Sequence, residues 1–160
     1  MLTDKNKACC FAGHRKLPEA KIERIILNLN REVENCIANG VTTFISGGAL
    51  GFDQMAASLI IAKKEMGYKI RLIFVLPCKN QDELWTNEQK RLYHGILAEA
   101  DETIYVSQEF TPNCMKIRNY YMVDHSAYCI CALSEWMSGT GQTIRYAKKK
   151  GLKVNNTISP

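Results

Sequence analysis

The sequence predicts an α/β protein: one doubly wound domain in which a mostly parallel sheet of five to six strands carries helices on both faces. Three observations support this prediction. Short apolar runs alternate along the whole chain with segments whose apolar residues recur at helical spacing. Glycine-containing turns follow several of the apolar runs. The length of 160 residues suits a single domain, spanning 1–160, and no linker, repeat or low-complexity stretch interrupts it.

The first half of the chain predicts three strands and two helices in alternation. In order, they are a strand at 8–12, a helix at 22–37, a strand at 41–45, a helix from 52 to about 66 and a strand at 70–76. Pro18 precedes the first helix and Asn39-Gly40 follows it, and such residues commonly begin and end helices. Gly67 ends the second helix, and Pro77 ends the third strand.

The second half continues the alternation. We expect a helix at about 82–100, a strand at 102–106, a helix from 112 to about 126, a strand at 128–133, a helix at 141–150 and a sixth strand at 152–155. Apolar strands joined by helices form parallel sheets covered on both faces, so the arrangement is Rossmann-like. Ligands of such sheets bind beyond the carboxyl ends of the strands. The loops after the first, second and fifth strands are therefore the places to search.

The most informative of these loops is a glycine turn between the second strand and its helix. Its sequence is Ser46-Gly47-Gly48-Ala49-Leu50-Gly51-Phe52-Asp53. A strand that turns through glycines into a helix leaves free N–H groups at the helix start, where the helix dipole adds positive potential. Glycine also lets the backbone approach a ligand where a Cβ would intrude. The turn therefore predicts a nucleotide-phosphate site.

Two further loops carry unusual content, Phe11-Ala12-Gly13-His14-Arg15 after the first strand and Ser138-Gly139-Thr140-Gly141-Gln142-Thr143 before the last helix. Two small-residue turns at helix starts could bind two parts of one phosphorylated ligand. Arg15 and Arg118 are candidate charge partners, because a guanidinium binds phosphate through two charge-assisted hydrogen bonds. The alternatives are a plain surface charge for Arg15, and an ion pair with Asp124 or Glu109 for Arg118.

Four other side chains each allow two interpretations. Asp53 either complements the dipole in the first turn of its helix or contacts a ribose or base. His14 either acts as an acid or base or only forms hydrogen bonds within its loop. Trp85 and Tyr93 lie two helical repeats apart, so a core or lid role competes with base stacking.

Composition restricts the function classes. No apolar run approaches the roughly 20 residues of a membrane span, and the start of the chain has no signal-peptide form, so we expect no membrane contact and a cytoplasmic location. The seven cysteines include no Cys-x-x-Cys, and the three histidines lack ligand spacing, so we expect no metal site. The net charge of +5 favours anionic ligands, although much of it lies near predicted helix ends.

Several ordered motifs resemble those of the YpsA-like family of the SLOG superfamily, which also contains DprA and the Lonely Guy proteins. The motifs are Phe-Ala-Gly-His-Arg at 11–15, Ser-Gly-Gly-Ala-Leu-Gly-Phe-Asp at 46–53, Arg-Asn-Tyr-Tyr-Met-Val-Asp at 118–124 and Gly139-Thr140 with Thr143 and Ala147, together with Gln81, Trp85 and Ala100-Asp101. The resemblance implies binding of a nucleotide-derived ligand (ADP-ribose, NAD or nucleotide-like) in a sensing or regulatory role, and it suggests a homodimer. One departure is Ser138, where the family usually has glycine.

The resemblance also implies which residues surround the ligand. They are Gly13, Arg15, Gly47, Gly48, Gly51, Asp53, Arg118, Asn119, Gly139 and Thr140, and the full candidate set adds His14, Ser46, Asp124, Ser138, Gly141 and Thr143. Whether the protein is an enzyme stays open at this point. An N-glycosidic hydrolase of the Lonely Guy kind would require a glutamate where this chain has Arg145. DprA-like binding of single-stranded DNA would require a basic groove with exposed aromatic residues, and the near balance of charges argues against a nucleic-acid partner.

Overall fold

In the computed structural model, which describes residues 4–159, strands and helices alternate along the chain. The strands are β1 (Ala8–Gly13), β2 (Thr43–Ser46), β3 (Arg71–Leu76), β4 (Glu102–Tyr105), β5 (Tyr128–Ala132) and β6 (Lys153–Asn156). The α-helices are α1 (Ile22–Ala38), α2 (Phe52–Glu65), α3 (Asn87–Ala98), α4 (Cys114–Asp124) and α5 (Gly139–Lys149). Short 3₁₀ turns at Lys5–Lys7 and Glu19–Lys21 precede β1 and α1.

The six strands form one sheet in the order β4-β3-β2-β1-β5-β6, and every neighbouring pair is parallel. Cys10 in β1 lies opposite Ile45 of β2 on one side and Cys129 of β5 on the other. Strands β2, β3 and β4 therefore follow one another on one side of β1. The chain then crosses over, and β5 and β6 lie on the other side of β1. The strand order reverses between β1 and β5, which is where such sheets open a crevice. The predicted α/β fold is confirmed.

Alternating side chains of the strands build a hydrophobic layer on each face of the sheet. Phe11, Phe44 and Phe74 point to the layer covered by α1, α2 and α3. The neighbouring positions Ile45 and Ile73 point to the opposite layer, which α4 and α5 cover. Both layers are fully buried at these positions, so the sheet is a rigid support for the loops at its carboxyl edge.

Helix ends differ from the sequence prediction where side chains cap the backbone. α3 begins at Asn87 rather than near residue 82, because the Thr86 hydroxyl accepts from the Gln89 amide while the Gln89 side chain accepts from the Thr86 amide. α4 begins at Cys114 rather than at 112 and ends at Asp124 rather than near 126. α5 begins two residues before the predicted start, because Ser138 caps it.

None of the helices within residues 4–159 combines the length and the apolar character needed to cross a bilayer. Residues 1–3, which belong to the segment considered for a signal peptide, lie outside the described part of the chain.

Candidate ligand-binding site

A cavity of about 250 Å³ opens at the carboxyl edge of the sheet, where the strand order reverses between β1 and β5. We name it the inner cavity. Its walls come from the end of β1 and the loop after it, from the starts of α2 and α5, and from the first turns of α4. The candidate residues that line it are Gly13, His14, Arg15, Asp53, Arg118, Asn119, Ser138, Gly139, Thr140 and Thr143.

The first turn of α5 supplies open hydrogen-bond donors to this cavity. Gly139 and Thr140 are the first residues of an 11-residue helix, and the Ser138 side chain satisfies only the amide of Gly141, at 3.0 Å. Over residues 4–159, the amides of Gly139 and Thr140 make no hydrogen bond. Because the positive end of the helix dipole lies at the same place, this end of the cavity favours an anion.

Three amides of the glycine turn between β2 and α2 have acceptors within the protein. The amide of Gly48 donates to the Ser46 hydroxyl at 3.2 Å, and the amide of Ala49 donates to a carboxylate oxygen of Asp53 at 3.4 Å. The amide of Phe52 donates to the His14 carbonyl at 3.2 Å. The amides of Leu50 and Gly51 make no hydrogen bond within residues 4–159, so only part of this turn has the free amides that the sequence predicted. Ser46 and Asp53 carry acceptors within reach of it, and a sequence pattern alone does not reveal such pairing.

The glycines of this turn make room for protein groups. A Cβ on Gly47 would lie 2.4 Å from Nη1 of Arg118 and 2.8 Å from Oδ2 of Asp53. Gly51 has a φ of +86°, and a Cβ there would lie 2.2 Å from the carbonyl oxygen of Arg15. These two positions let the turn pack closely against α4 and against the loop after β1. The turn thus supports α4 and the loop after β1, which form part of the cavity wall.

Arg118 is a buried residue that links α4 to the glycine turn within that wall. Only 4% of the residue is exposed, and its Nη1 donates to the Gly47 carbonyl at 2.6 Å while its Nε donates to Asn119 Oδ1 at 2.7 Å. Burial lowers the pKa of this guanidinium, and the nearby charge of Asp53 opposes that shift. Neither ion pair that the sequence suggested forms. Asp124 lies at the far end of α4 and accepts from the Tyr146 hydroxyl at 2.6 Å.

Asp53 places a carboxyl group in the wall of the same cavity. The residue is 5% exposed, and burial raises its pKa to about 6, although Arg118, the Ala49 amide and Arg15 oppose the shift. A carboxyl group with such a pKa changes charge close to neutral pH. It can therefore accept a hydrogen bond as the carboxylate or donate one as the acid.

His14 ties two loops of the site together. Its Nε2 lies 3.0 Å from the amide nitrogen of Ser134 and 3.2 Å from that of Glu135, in the loop between β5 and α5. Because both partners are N–H donors, Nε2 is the acceptor. Burial lowers the pKa of His14, and the charge of Glu135 opposes that shift. His14 thus forms the loop hydrogen bonds that one of the two sequence interpretations proposed.

Six candidate residues do not line the inner cavity. They are Ser46, Gly47, Gly48, Gly51, Asp124 and Gly141. Sequence reasoning missed Met115, which lines the cavity and whose sulfur lies 3.6 Å from Nη2 of Arg118. The signal for it was its position three residues before Arg118, on the same face of a helix. Trp85 packs edge-on against Tyr93, with ring centroids 4.9 Å apart, at the periphery of the core.

The strand order and the position of the cavity define a Rossmann-like α/β protein with a cavity at its topological switch point. A model of the family described as the YspA SLOG family matches residues 13–158, and the chain belongs to this family. The resemblance found in the sequence is thereby confirmed.

Two relatives are proteins of Bacillus species. The SPbeta prophage-derived protein YoqJ of Bacillus subtilis is 38% identical over 118 residues, which cover 66% of this chain and 69% of YoqJ. A UPF0398 protein of Bacillus pumilus is 26% identical over 114 residues, and the match covers 70% of this chain and 61% of the relative.

Two solved structures share the fold. DNA processing protein A of Helicobacter pylori, described with its single-stranded DNA binding mode, superposes with a TM-score of 0.66 at 19% identity. DprA of Streptococcus pneumoniae gives a TM-score of 0.67 at 20% identity. Each comparison covers 94% of this chain but only 64% and 50% of the respective DprA chain. At these identities the similarity demonstrates a common fold.

Proposed function

We propose that the protein binds a phosphorylated, nucleotide-derived ligand, such as ADP-ribose, NAD or a related nucleotide, in a sensing or regulatory role. The observation that carries this proposal is the pair of unpartnered amides at Gly139 and Thr140, which line the inner cavity together with Arg15. Arg15 is exposed and has no ion-pair partner among the described residues. A phosphate at the start of α5 would receive two backbone hydrogen bonds and a guanidinium.

Other groups of the cavity suit the sugar that adjoins such a phosphate. Asn119 uses its Oδ1 to accept from Arg118, which leaves its amide N–H groups as donors. Asp53 offers a carboxyl group that can accept from a hydroxyl. Because a ribose hydroxyl both donates and accepts hydrogen bonds, these donor and acceptor groups suit a ribose.

We also propose a cytoplasmic location, because all seven cysteines are free and buried, as is usual in a reducing compartment.

Calorimetric titration with ADP-ribose, NAD and AMP tests the proposal. We expect binding by the wild type and at least about tenfold weaker binding by Arg15→Ala, since a charge-assisted hydrogen bond contributes about 1.5–3 kcal/mol. Arg24→Ala is the matched control, because Arg24 is exposed on α1 and does not line the cavity. Absence of binding at millimolar concentration of every nucleotide would refute the proposal. Arg118 is a poor choice for this test, since its removal would disturb the folded wall.

Single-stranded DNA is the second candidate, because the loop between β5 and α5 exposes an aromatic side chain. Trp136 is 47% exposed, and the Lys148 ammonium lies 5.1 Å from the centroid of its ring. Base stacking on exposed aromatic residues beside cations is a general mode of single-strand binding. DNA processing protein A of H. pylori, which shares this fold, has a single-stranded DNA binding mode, which weighs against the expectation of no nucleic-acid partner. Retention of a labelled oligonucleotide that falls steeply with salt and with Trp136→Ala would support this candidate.

The hydrolase alternative has less support. Arg145, at the position that the sequence comparison gave to a hydrolase glutamate, donates to the Trp136 carbonyl at 3.0 Å and does not line the inner cavity. Release of free base from nucleoside monophosphates is the direct test of the hydrolase alternative.

The homodimer suggested by the resemblance stays a prediction, and sedimentation velocity checks it.

A further inference from the structure

A second and larger groove adjoins the inner cavity. It measures about 720 Å³ and lies between the loop after β1 and the loop after β5. Residues 16–19 form one wall, and Ser134 with Glu135 forms the other. We name it the outer groove. His14 and Ser138 line both the outer groove and the inner cavity, so the two spaces meet at these side chains.

The size of the inner cavity requires such an extension for a larger ligand. Its volume of about 250 Å³ is below the range of roughly 300–1,000 Å³ that is usual for small-molecule sites. This space suits one nucleoside monophosphate, whereas a molecule with two nucleoside or sugar groups must reach beyond it. The outer groove is the adjoining space with lining residues in common.

His14 has one defined tautomer at the boundary of the two spaces. Its Nε2 accepts from the amides of Ser134 and Glu135, so the proton of the neutral ring resides on Nδ1. Within residues 4–159, no acceptor is bonded to this Nδ1–H. The protein thus fixes Nε2 as the acceptor. The Nδ1–H group stays available to donate to a ligand that extends from the inner cavity into the outer groove.

The outer groove has the mixed surface that a nucleoside or sugar needs. Leu17 is 8% exposed and supplies an apolar floor. Lys16, Glu19 and Glu135 are exposed along the groove, and they supply both a cation and carboxylate acceptors. A single anion would gain little here, because two carboxylates face one ammonium. A neutral group with several hydroxyl or amino substituents suits this arrangement better.

We propose that the inner cavity and the outer groove are two subsites for one ligand whose two parts are joined by a diphosphate, and that His14 donates from Nδ1 to that diphosphate. This inference rests on the proposed function. The phosphate nearer α5 contacts Gly139 and Thr140, and the part beyond the diphosphate occupies the outer groove beside Lys16. The preferred class of ligand is therefore a diphosphate-linked conjugate, and a nucleoside monophosphate fills only the inner subsite.

Calorimetry with AMP and ADP-ribose on the same protein tests the two-subsite arrangement. We expect ADP-ribose to bind at least about tenfold tighter than AMP, since a second set of contacts is added without a second association cost. Lys16→Ala should weaken ADP-ribose binding and leave AMP binding unchanged. Lys21→Ala, an exposed lysine outside both spaces, is the control and should change neither. Equal affinities with no effect of Lys16→Ala would overturn the inference and leave the proposed function standing. Binding of neither ligand would overturn both.

A nuclear magnetic resonance experiment on the His14 ring tests its role as a donor. Imidazole ¹⁵N shifts should report the Nδ1–H tautomer in the free protein, and ADP-ribose should move the Nδ1 resonance more than the Nε2 resonance. His14→Gln preserves an acceptor oxygen for the Ser134 and Glu135 amides but moves the side-chain donor from the Nδ1 position to the terminal amide nitrogen. This variant should retain the wild-type melting temperature and bind ADP-ribose about tenfold more weakly. A ring protonated at Nε2, or wild-type affinity in His14→Gln, would overturn the assignment.

Discussion

Asp53 and Arg118 are two charged residues buried within one wall of the inner cavity, and their burial has a measurable cost. The Asp53 carboxyl has its pKa raised from 3.8 to about 6, chiefly by burial. The folded protein therefore binds this proton more tightly than the unfolded chain does. The resulting stabilisation is fully present below about pH 4 and is lost as the pH rises through about 6. Two pKa units correspond to about 3 kcal/mol of unfolding free energy.

Replacing Asp53 with asparagine should remove this pH dependence. We expect the unfolding free energy of the wild type, measured relative to Asp53→Asn, to fall by up to about 3 kcal/mol between pH 4 and pH 7. Urea denaturation of both proteins across that pH range gives this difference, and the comparison cancels the titration of the other carboxyl groups. Parallel pH profiles for the two proteins would contradict the buried, high-pKa state of Asp53.

At the scale of single residues, the sequence predicted which side chains line the inner cavity better than it predicted what they contact. Arg15, Asp53 and Arg118 were candidates from their types and positions, and all three line the inner cavity. The partner of Arg118 was not predictable, because its Nη1 donates to the carbonyl of Gly47, 71 residues away along the chain. Such a contact depends on how α4 crosses the glycine turn, which no local pattern encodes.

At the scale of elements, periodicity located every strand and helix, while side-chain hydrogen bonds determined several of the boundaries. The residues from 82 to 86 read as the start of a helix, yet the reciprocal hydrogen bonds of Thr86 and Gln89 fix the first turn of α3 later. Capping of this kind changes a boundary by several residues without changing the apolar spacing. The alternation of elements was therefore predictable, and the exact ends were not.

Alanine substitutions of a glycine in α3 and a glycine in the turn after β2 should change the unfolding free energy in opposite directions. Gly95 lies in α3 with no atom within 4 Å of an added Cβ, so Gly95→Ala should raise the unfolding free energy by about 0.5–1 kcal/mol. Gly47 lies against Arg118, so Gly47→Ala should lower it by about 1–3 kcal/mol, the usual cost of overpacking. Urea denaturation at pH 7 measures both changes. A stabilised Gly47→Ala protein would show that the turn is not tightly packed against α4.

At the scale of the whole molecule, the reversal of strand order between β1 and β5 creates the site. It brings the loop with His14 and Arg15 next to the first turn of α5, although more than a hundred residues separate them in sequence. The sequence predicted these two loops, and the inner cavity lies between them. It also predicted the glycine turn as a phosphate site, whereas protein groups accept from three of the amides of that turn. The difference arises because a glycine pattern is the same whether a ligand or a protein side chain approaches the backbone.

The central claim is that the first turn of α5 binds the anionic group of a nucleotide, and backbone amide resonances test it most directly. Titration of ¹⁵N-labelled protein with ADP-ribose should shift the amide signals of Gly139 and Thr140 downfield, since each gains a hydrogen bond to phosphate. The signals of Gly48 and Ala49, whose amides already have protein acceptors, should move much less. In Arg15→Ala the same shifts should require a higher ligand concentration. Saturable binding that leaves Gly139 and Thr140 unchanged would contradict the account.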